Sequence, residues 1–291
     1  MTNDLMREQT MFSKLFNWAQ SDDTIQAMLL VGSRAHNAHR VDVFSDFDLA
    51  LFVNDPQKYV SDDAWMRGID DVLVYIPEKV CVDGKEYPTR LVIFKYGIKV
   101  DFAFYSIDVI KNLAHQEEQP AQYALGYKVL LDKDNLTAGM KSPTFKIQAT
   151  PKPSQQEFEN LVSEFFFEVY HVAKHLCRND LWHAKFRDWT TKELLLRMIE
   201  WHEKSTHGWD YDTSQHGKRM QEWVSKETWA ELNNCFAHFD ADDSWKALIA
   251  TSDLFRTVAM QTAERLGYRY PMGVDKNITI FVQQAMVCHR L

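Results

Sequence analysis

The sequence predicts an α+β protein: an N-terminal domain with a mixed β-sheet flanked by helices, followed by a mostly α-helical C-terminal domain. Three observations carry that expectation. Short apolar runs of strand character occupy the first half, and long stretches with helical apolar spacing occupy the second. Between them stand the proline-bearing connections Ser142-Pro143 and Thr150-Pro151-Lys152-Pro153, which can continue neither a helix nor a central strand. The boundary is therefore placed to give domains 1–150 and 151–291.

Leu5 to Trp18 carries apolar residues near helical spacing (Leu5, Met6, Met11, Phe12, Leu15, Phe16), which predicts a helix. Ala27 to Val31 is a short apolar run ending in Gly32-Ser33, a buried strand leading into a tight turn. Phe47 to Val53 reads as a second strand and Asp71 to Ile76 as a third. Thr89 to Phe94 and Lys99 to Tyr105, separated by Lys95 to Ile98, form a candidate antiparallel hairpin. Val129 to Leu131 is a further strand candidate. After the prolines, Ser154-x-x-Glu157 is a capping-box pattern opening a helix to about Arg178. Helical segments are then expected at about Asp180 to Ala184, Thr191 to Lys204, Lys218 to Phe236 and Asp243 to Leu266, with Gly267 at a C-cap position.

The chain has 291 residues, enough for one or two cores, and is 45% hydrophobic and 25% charged, the balance of a soluble globular protein. Charges interrupt the first twenty residues, and nowhere do about 18 apolar residues run together, so neither a signal peptide nor a membrane span is expected. A cytoplasmic protein follows. Cys81, Cys177, Cys235 and Cys288 lie far apart without a C-x-x-C pair, which favours buried thiols over a disulfide framework or zinc knuckle. The net charge of −8 works against nucleic acid as a partner and suits a cationic small molecule.

One constellation carries chemistry. Gly32-Ser33 ends an apolar strand, twelve residues follow, and Asp46-Phe47-Asp48 opens the next strand. Residues two apart on a strand share a face, so Asp46 and Asp48 aim at one point while Phe47 turns to the core. Like charges held together call for a cation, and hard oxygen ligands on a rigid strand suit Mg²⁺ with a bound triphosphate. Asp101, the lone charge of Val100-Asp-Phe-Ala-Phe104, supplies a third carboxylate on a neighbouring strand. Three such groups can hold two ions. Gly32 permits close backbone approach to phosphate, Ser33 adds a hydroxyl and an N–H at what would be a helix start, and Arg34 is a candidate phosphate contact.

These residues give the chain its resemblance to the nucleotidyltransferase superfamily, with Gly-Ser, a spacer, Asp-x-Asp and a third strand carboxylate. More narrowly it resembles the aminoglycoside 6-adenylyltransferases, which modify streptomycin. The segments concerned are Gly32 to Arg34, Ser45 to Leu49, Lys128 to Asp134, Lys174 to Asn179, Leu195 to Met198 with Trp201-His202, and Tyr268-x-Tyr-Pro271. The resemblance implies ATP as co-substrate, transfer of AMP to a sugar hydroxyl and release of pyrophosphate. It assigns Asp46, Asp48 and Asp101 to the metal and Gly32 and Ser33 to the triphosphate. Asp101 is also the candidate general base.

Further candidates sit outside that core. Tyr170, Lys174 and Arg178 share a helix face at i, i+4, i+8, a phosphate-binding face if it lines a cleft and a solvated one otherwise. Lys128 is a possible phosphate partner. His171 and His175 have a spacing that zinc sites use, without an evident third ligand. Trp182, Trp189, Trp201 and Trp209 are read as core, with Asp180, Asp188, Glu200 and Asp210 as candidate contacts for a cationic acceptor. Two other functions stay open: the same transfer to another small-molecule or protein hydroxyl, and nucleotide binding without turnover. Oligomeric state is not readable from the sequence.

Overall fold

The computed structural model describes residues 2–36, 41–146 and 149–289. The chain divides into two compact units, Met1–Ile147 and Gln148–Leu291. No helix among the described residues is long and apolar enough to cross a membrane.

The first unit is built on a six-stranded mixed sheet. Its strands are β1 (Ile25–Val31), β2 (Phe47–Val53), β3 (Val72–Val82), β4 (Lys85–Phe94), β5 (Ile98–Ser106) and β6 (Lys128–Asp132), in the order β3-β4-β5-β2-β1-β6. All neighbours are antiparallel except β2 and β5, which run parallel with Asp48 opposite Asp101. Helix α1 (Thr2–Ser21) and the short helices α2 (Lys58–Ser61) and α3 (Trp65–Ile69) accompany one face, while α4 (Ile107–His115) and α5 (Ala121–Ala124) accompany the other.

The period of two sorts the strands between these faces. Leu49, Leu51, Val100, Phe102 and Phe104 pack with Met11, Leu15 and Ala19 of α1 in one core. Ala50, Phe52 and Tyr105 pack with Ile110, Leu113 and Tyr123 in another. The first core is aromatic at its centre. Tyr59 stacks on Phe104 with ring centroids 4.2 Å apart, Trp18 on Trp65 at 5.0 Å, and Trp65 meets Phe102 edge-on at 5.0 Å. Such contacts add to area burial and fix which side of β5 faces inward.

The second unit is helical: α6 (Gln155–Cys177), α7 (Leu181–His207), α8 (Met220–Trp223), α9 (Lys226–Leu232), α10 (Ala241–Leu266) and α11 (Met272–His289). The Ser154–Glu157 capping box forms, and Gly267 takes the left-handed conformation at the end of α10 (φ +70°). Two expectations are corrected. The two segments placed within 180–204 are one helix, α7, because buried residues continue through it from Ala184 to Thr191 and Lys192. The stretch Lys218 to Phe236 is instead two short helices, separated at Val224 by extended backbone and restarted by the Ser225 cap on Thr228.

Helix α11 was not expected, since Ile278-Thr-Ile-Phe-Val282 has poor helix propensity. Tertiary contacts override that preference. Asp275, almost fully buried, accepts both nitrogens of the Arg256 fork at 2.6 and 2.7 Å and the Tyr270 hydroxyl at 2.9 Å.

In the first unit Asp22 closes the α1–β1 turn. It accepts from Lys58 Nζ at 2.8 Å, Tyr59 Oη at 2.9 Å and Thr24 Oγ1 at 2.6 Å. Burial pushes its pKa up, but the Lys58 and Thr24 hydrogen bonds outweigh that and hold it down at about 2. A carboxylate lowered in the folded state stabilises above its ordinary range near 4, and that contribution is lost as the pH falls toward 2. We expect Asp22→Asn to cost about 2 kcal/mol at pH 7 in urea melts, with the difference from wild type vanishing near pH 2.

Candidate active site

The site lies where three pieces of the sheet meet. Strand β1 ends at Val31, paired with Asp48, and the chain then turns through a 3-10 turn, Gly32–Arg34. Gly32 has φ +67°, and a Cβ there would fall 2.0 Å from Asp48 Oδ2 and 2.8 Å from its Cγ. Glycine is required twice, by the left-handed backbone and by the carboxylate pressed against it. The helix that would make Ser33 an N-terminal anion site does not start after it. The turn is too short for a helix macrodipole, and exposed Ser33 offers its own hydroxyl and N–H instead.

Asp46 immediately precedes β2, Asp48 is its second residue, and the parallel β2–β5 register sets Asp48 beside Asp101. The residue that ties this set together is one the sequence reading passed over. Lys99 Nζ donates to Asp46 Oδ2 at 2.8 Å and to Asp101 Oδ2 at 2.7 Å. Its position two residues before Asp101, hence on the same strand face, was the available signal. Burial alone would lower the Lys99 pKa, but the two carboxylates outweigh it and raise it above the ordinary ammonium range. Asp101 also lies above its usual range, because burial outweighs the attraction of Lys99.

A cavity of about 140 Å³ opens on Asp48 and Asp101, walled also by Thr89, Tyr105, Gln122 and Tyr123. It is smaller than a drug-sized pocket and suits an ion's surroundings rather than a whole nucleotide. Asp101 Oδ1 is buried without a hydrogen-bond partner among the described residues. As the side chains stand, no three His, Cys, Asp or Glu groups among the described residues are gathered closely enough to hold one ion. The donor set nonetheless fits a hard divalent cation: all-oxygen carboxylates, one with an unsatisfied buried oxygen, and an ammonium already drawn between two of them.

Arg34, a candidate phosphate contact, is turned into the protein. Its guanidinium is buried, donating to the backbone carbonyls of Ser45 (2.7 Å) and Asp46 (3.0 Å), pairing with Glu8 and lying 4.2 Å over the Phe47 ring. Its donors hold the segment that presents Asp46, and so position that carboxylate. Lys128 donates to Arg34 O at 2.8 Å and so braces the same turn from β6.

Tyr170 and Lys174 lie on α6 of the second unit, with Arg178 at its C-cap. The Tyr170 ring packs on Phe281 of α11 at 4.9 Å, and Lys174 Nζ lies 5.4 Å over Tyr170. Nearby the His175 ring lies tilted against His183, with centroids 4.1 Å apart, and meets Asp180 at 3.2 Å. Trp182 and Trp189 are not core residues: they are 80% and 61% exposed. Cys81 and Cys177 are likewise exposed and only Cys235 is buried, while Cys288 lies outside the described side chains. The second unit also holds a cavity of about 710 Å³, walled by Trp189, Glu193, Leu196, His216, Trp229 and Phe236 among others.

A family model described as streptomycin adenylyltransferase matches residues 6–285. The chain is 28% identical to an aminoglycoside 6-adenylyltransferase of Campylobacter jejuni, over 95% of each chain. It is 27% identical to one of Bacillus subtilis, covering 95% of this chain and 96% of the relative. A solved aminoglycoside 6-adenyltransferase from Bacillus subtilis matches with TM-score 0.47 at 23% identity, covering 96% of this chain and 97% of that one.

Two outcomes are expected from this geometry. Gly32→Ala should remain folded, losing about 1–2 kcal/mol in a urea melt, yet lose adenylyl transfer by about a hundredfold or more because Asp48 must move. Arg34→Met should lower stability by about 2–3 kcal/mol, and Arg34→Lys should not restore it, since an ammonium cannot fork to Ser45, Asp46 and Glu8 together.

Proposed function

The chain belongs to the streptomycin adenylyltransferase family, a family of nucleotidyltransferase enzymes, and from that premise we propose that it transfers AMP from ATP to a hydroxyl of an aminoglycoside such as streptomycin, at the 6-position, releasing pyrophosphate. The observation that carries this reading is the parallel β2–β5 pairing of Asp48 with Asp101, beside Gly32 and Asp46. It concentrates carboxylates at the end of a strand-to-turn element, on a cavity of about 140 Å³.

In the reaction an acceptor oxygen bonds to the α-phosphorus of ATP as the bond from that phosphorus to the β-phosphate bridging oxygen breaks. The hydroxyl proton leaves to a base, for which Asp101, its pKa raised by burial, is the candidate. Gly32 leaves its backbone open to the triphosphate and Ser33 offers hydroxyl and N–H donors. Asp46, Asp48 and Asp101 would hold the divalent ions, two in the fullest form, which when bound supply positive charge opposite the phosphate oxygens. Lys128, Tyr170, Lys174 and Arg178 are proposed to add donors for the phosphates, on the strength of charge and helical spacing. For a cationic acceptor, the 710 Å³ cavity of the second unit supports the reading. It has the volume of a small-molecule site, exposed Trp189 as an aromatic face for a cation, and Glu193 as a charge partner. The enzyme would work in the cytoplasm, where ATP and Mg²⁺ are abundant.

Pyrophosphate release with ATP and MgCl₂ over a panel of aminoglycosides, other aminocyclitols and lincosamides tests the proposal. Streptomycin should give turnover that Asp46→Asn or Asp48→Asn lowers by about a hundredfold or more. Turnover undiminished in both variants would remove the assigned carboxylates. Turnover on other acceptors with none on streptomycin would remove the acceptor while leaving the chemistry.

A further inference from the structure

The Lys99 ammonium stands between two of the carboxylates assigned to the divalent ion, and its geometry has a consequence for that ion. Its two contacts, at 2.8 Å to Asp46 and 2.7 Å to Asp101, use one oxygen of each carboxylate. Both are the Oδ2 atoms, while Asp101 Oδ1 is buried without a partner among the described residues. The lysine side chain is 32% exposed, so it has a route to solvent, and it rises from the same strand as Asp101 two residues away. An ammonium and a divalent ion compete for the same oxygens by charge. The ammonium is tethered and always at hand, while the ion brings twice the charge and accepts several oxygens at once. Without a cation between them, Asp46, Asp48 and Asp101 would repel across the β2–β5 pair.

We propose that Lys99 is a built-in counter-ion for the metal-free enzyme: it holds Asp46 and Asp101 in place until a divalent cation arrives, and must withdraw from between them for that cation to bind. The inference rests on the metal reading of the three carboxylates. Lys99 is thus a positioning residue that stabilises the empty state and competes with the loaded one. Removing its charge has opposite effects on the two.

The test uses the full chain with MnCl₂ as probe, read by thermal melting and by the electron paramagnetic resonance signal of free Mn²⁺, without nucleotide or acceptor. In EDTA, Lys99→Met should melt about 2–5 °C below wild type, and Lys99→Arg, which keeps the charge, should melt close to it. With MnCl₂, Lys99→Met should bind about three- to tenfold more tightly than wild type and recover its lost melting temperature. An unchanged melt in EDTA together with unchanged Mn²⁺ affinity, or weakened Mn²⁺ binding in Lys99→Met, overturns the role of Lys99 while leaving the metal reading intact. Absence of saturable Mn²⁺ binding in wild type and in every variant overturns both.

Discussion

The packing of Phe102 and Phe104 on β5 governs the first unit. Both rings are fully buried against Trp18, Tyr59 and Trp65, and both therefore point to the α1 side of the sheet. A strand has only two faces, so fixing these two residues fixes the others. Lys99, Asp101, Ala103 and Tyr105 must point to the opposite side, toward α4 and Tyr123. A slip of one residue would bury a carboxylate and an ammonium in an aromatic core and expose two phenylalanines, a change far larger than the stability of a domain tolerates. The phase of the strand is set by hydrophobic burial, and the charged site occupies the face that burial leaves over.

The same logic reaches β2. Its parallel pairing with β5 puts Leu49 beside Phe102 and Leu51 beside Phe104, and the intervening register brings Asp48 to Asp101. Arg34 then completes the arrangement from a distance. By holding the carbonyls of Ser45 and Asp46 it stops the chain ahead of β2 from drifting, so Asp46 reaches the site although it lies outside the strand. Shape and charge are divided between different residues: aromatics set phase, an arginine sets the approach, and the carboxylates are left together on the other face.

Much of this was legible in the sequence, for a physical reason in each case. Strand β2 was expected over the residues it occupies because its apolar run is bounded by charges. Asp101 stood out as the one charge in an apolar strand. Lys99 did not, although its parity with Asp101 was visible, because a lysine at a strand start is usually solvated and its meaning depends on Asp46, fifty-three residues away in sequence. The bracing contacts of Arg34 were not legible for a similar reason: its partners Glu8 and Ser45 are brought to it only by the fold. In the second unit, helix α11 escaped notice because β-branched residues dominate its middle, and a buried Asp275–Arg256 pair decides its form instead.

The placement of Lys99 on β5 itself also bears on how the sheet assembles. Partners β2 and β5 are parallel neighbours whose facing residues lie more than fifty positions apart, so their pairing is a non-local event with a high entropic threshold. If the only compensation for the carboxylates came from outside the chain, that step would also bring like charges together. Because the ammonium is carried two residues from Asp101, β5 presents its own neutralising charge before β2 docks. The incoming Asp46 meets attraction, and the strands can close on each other before any ion is present.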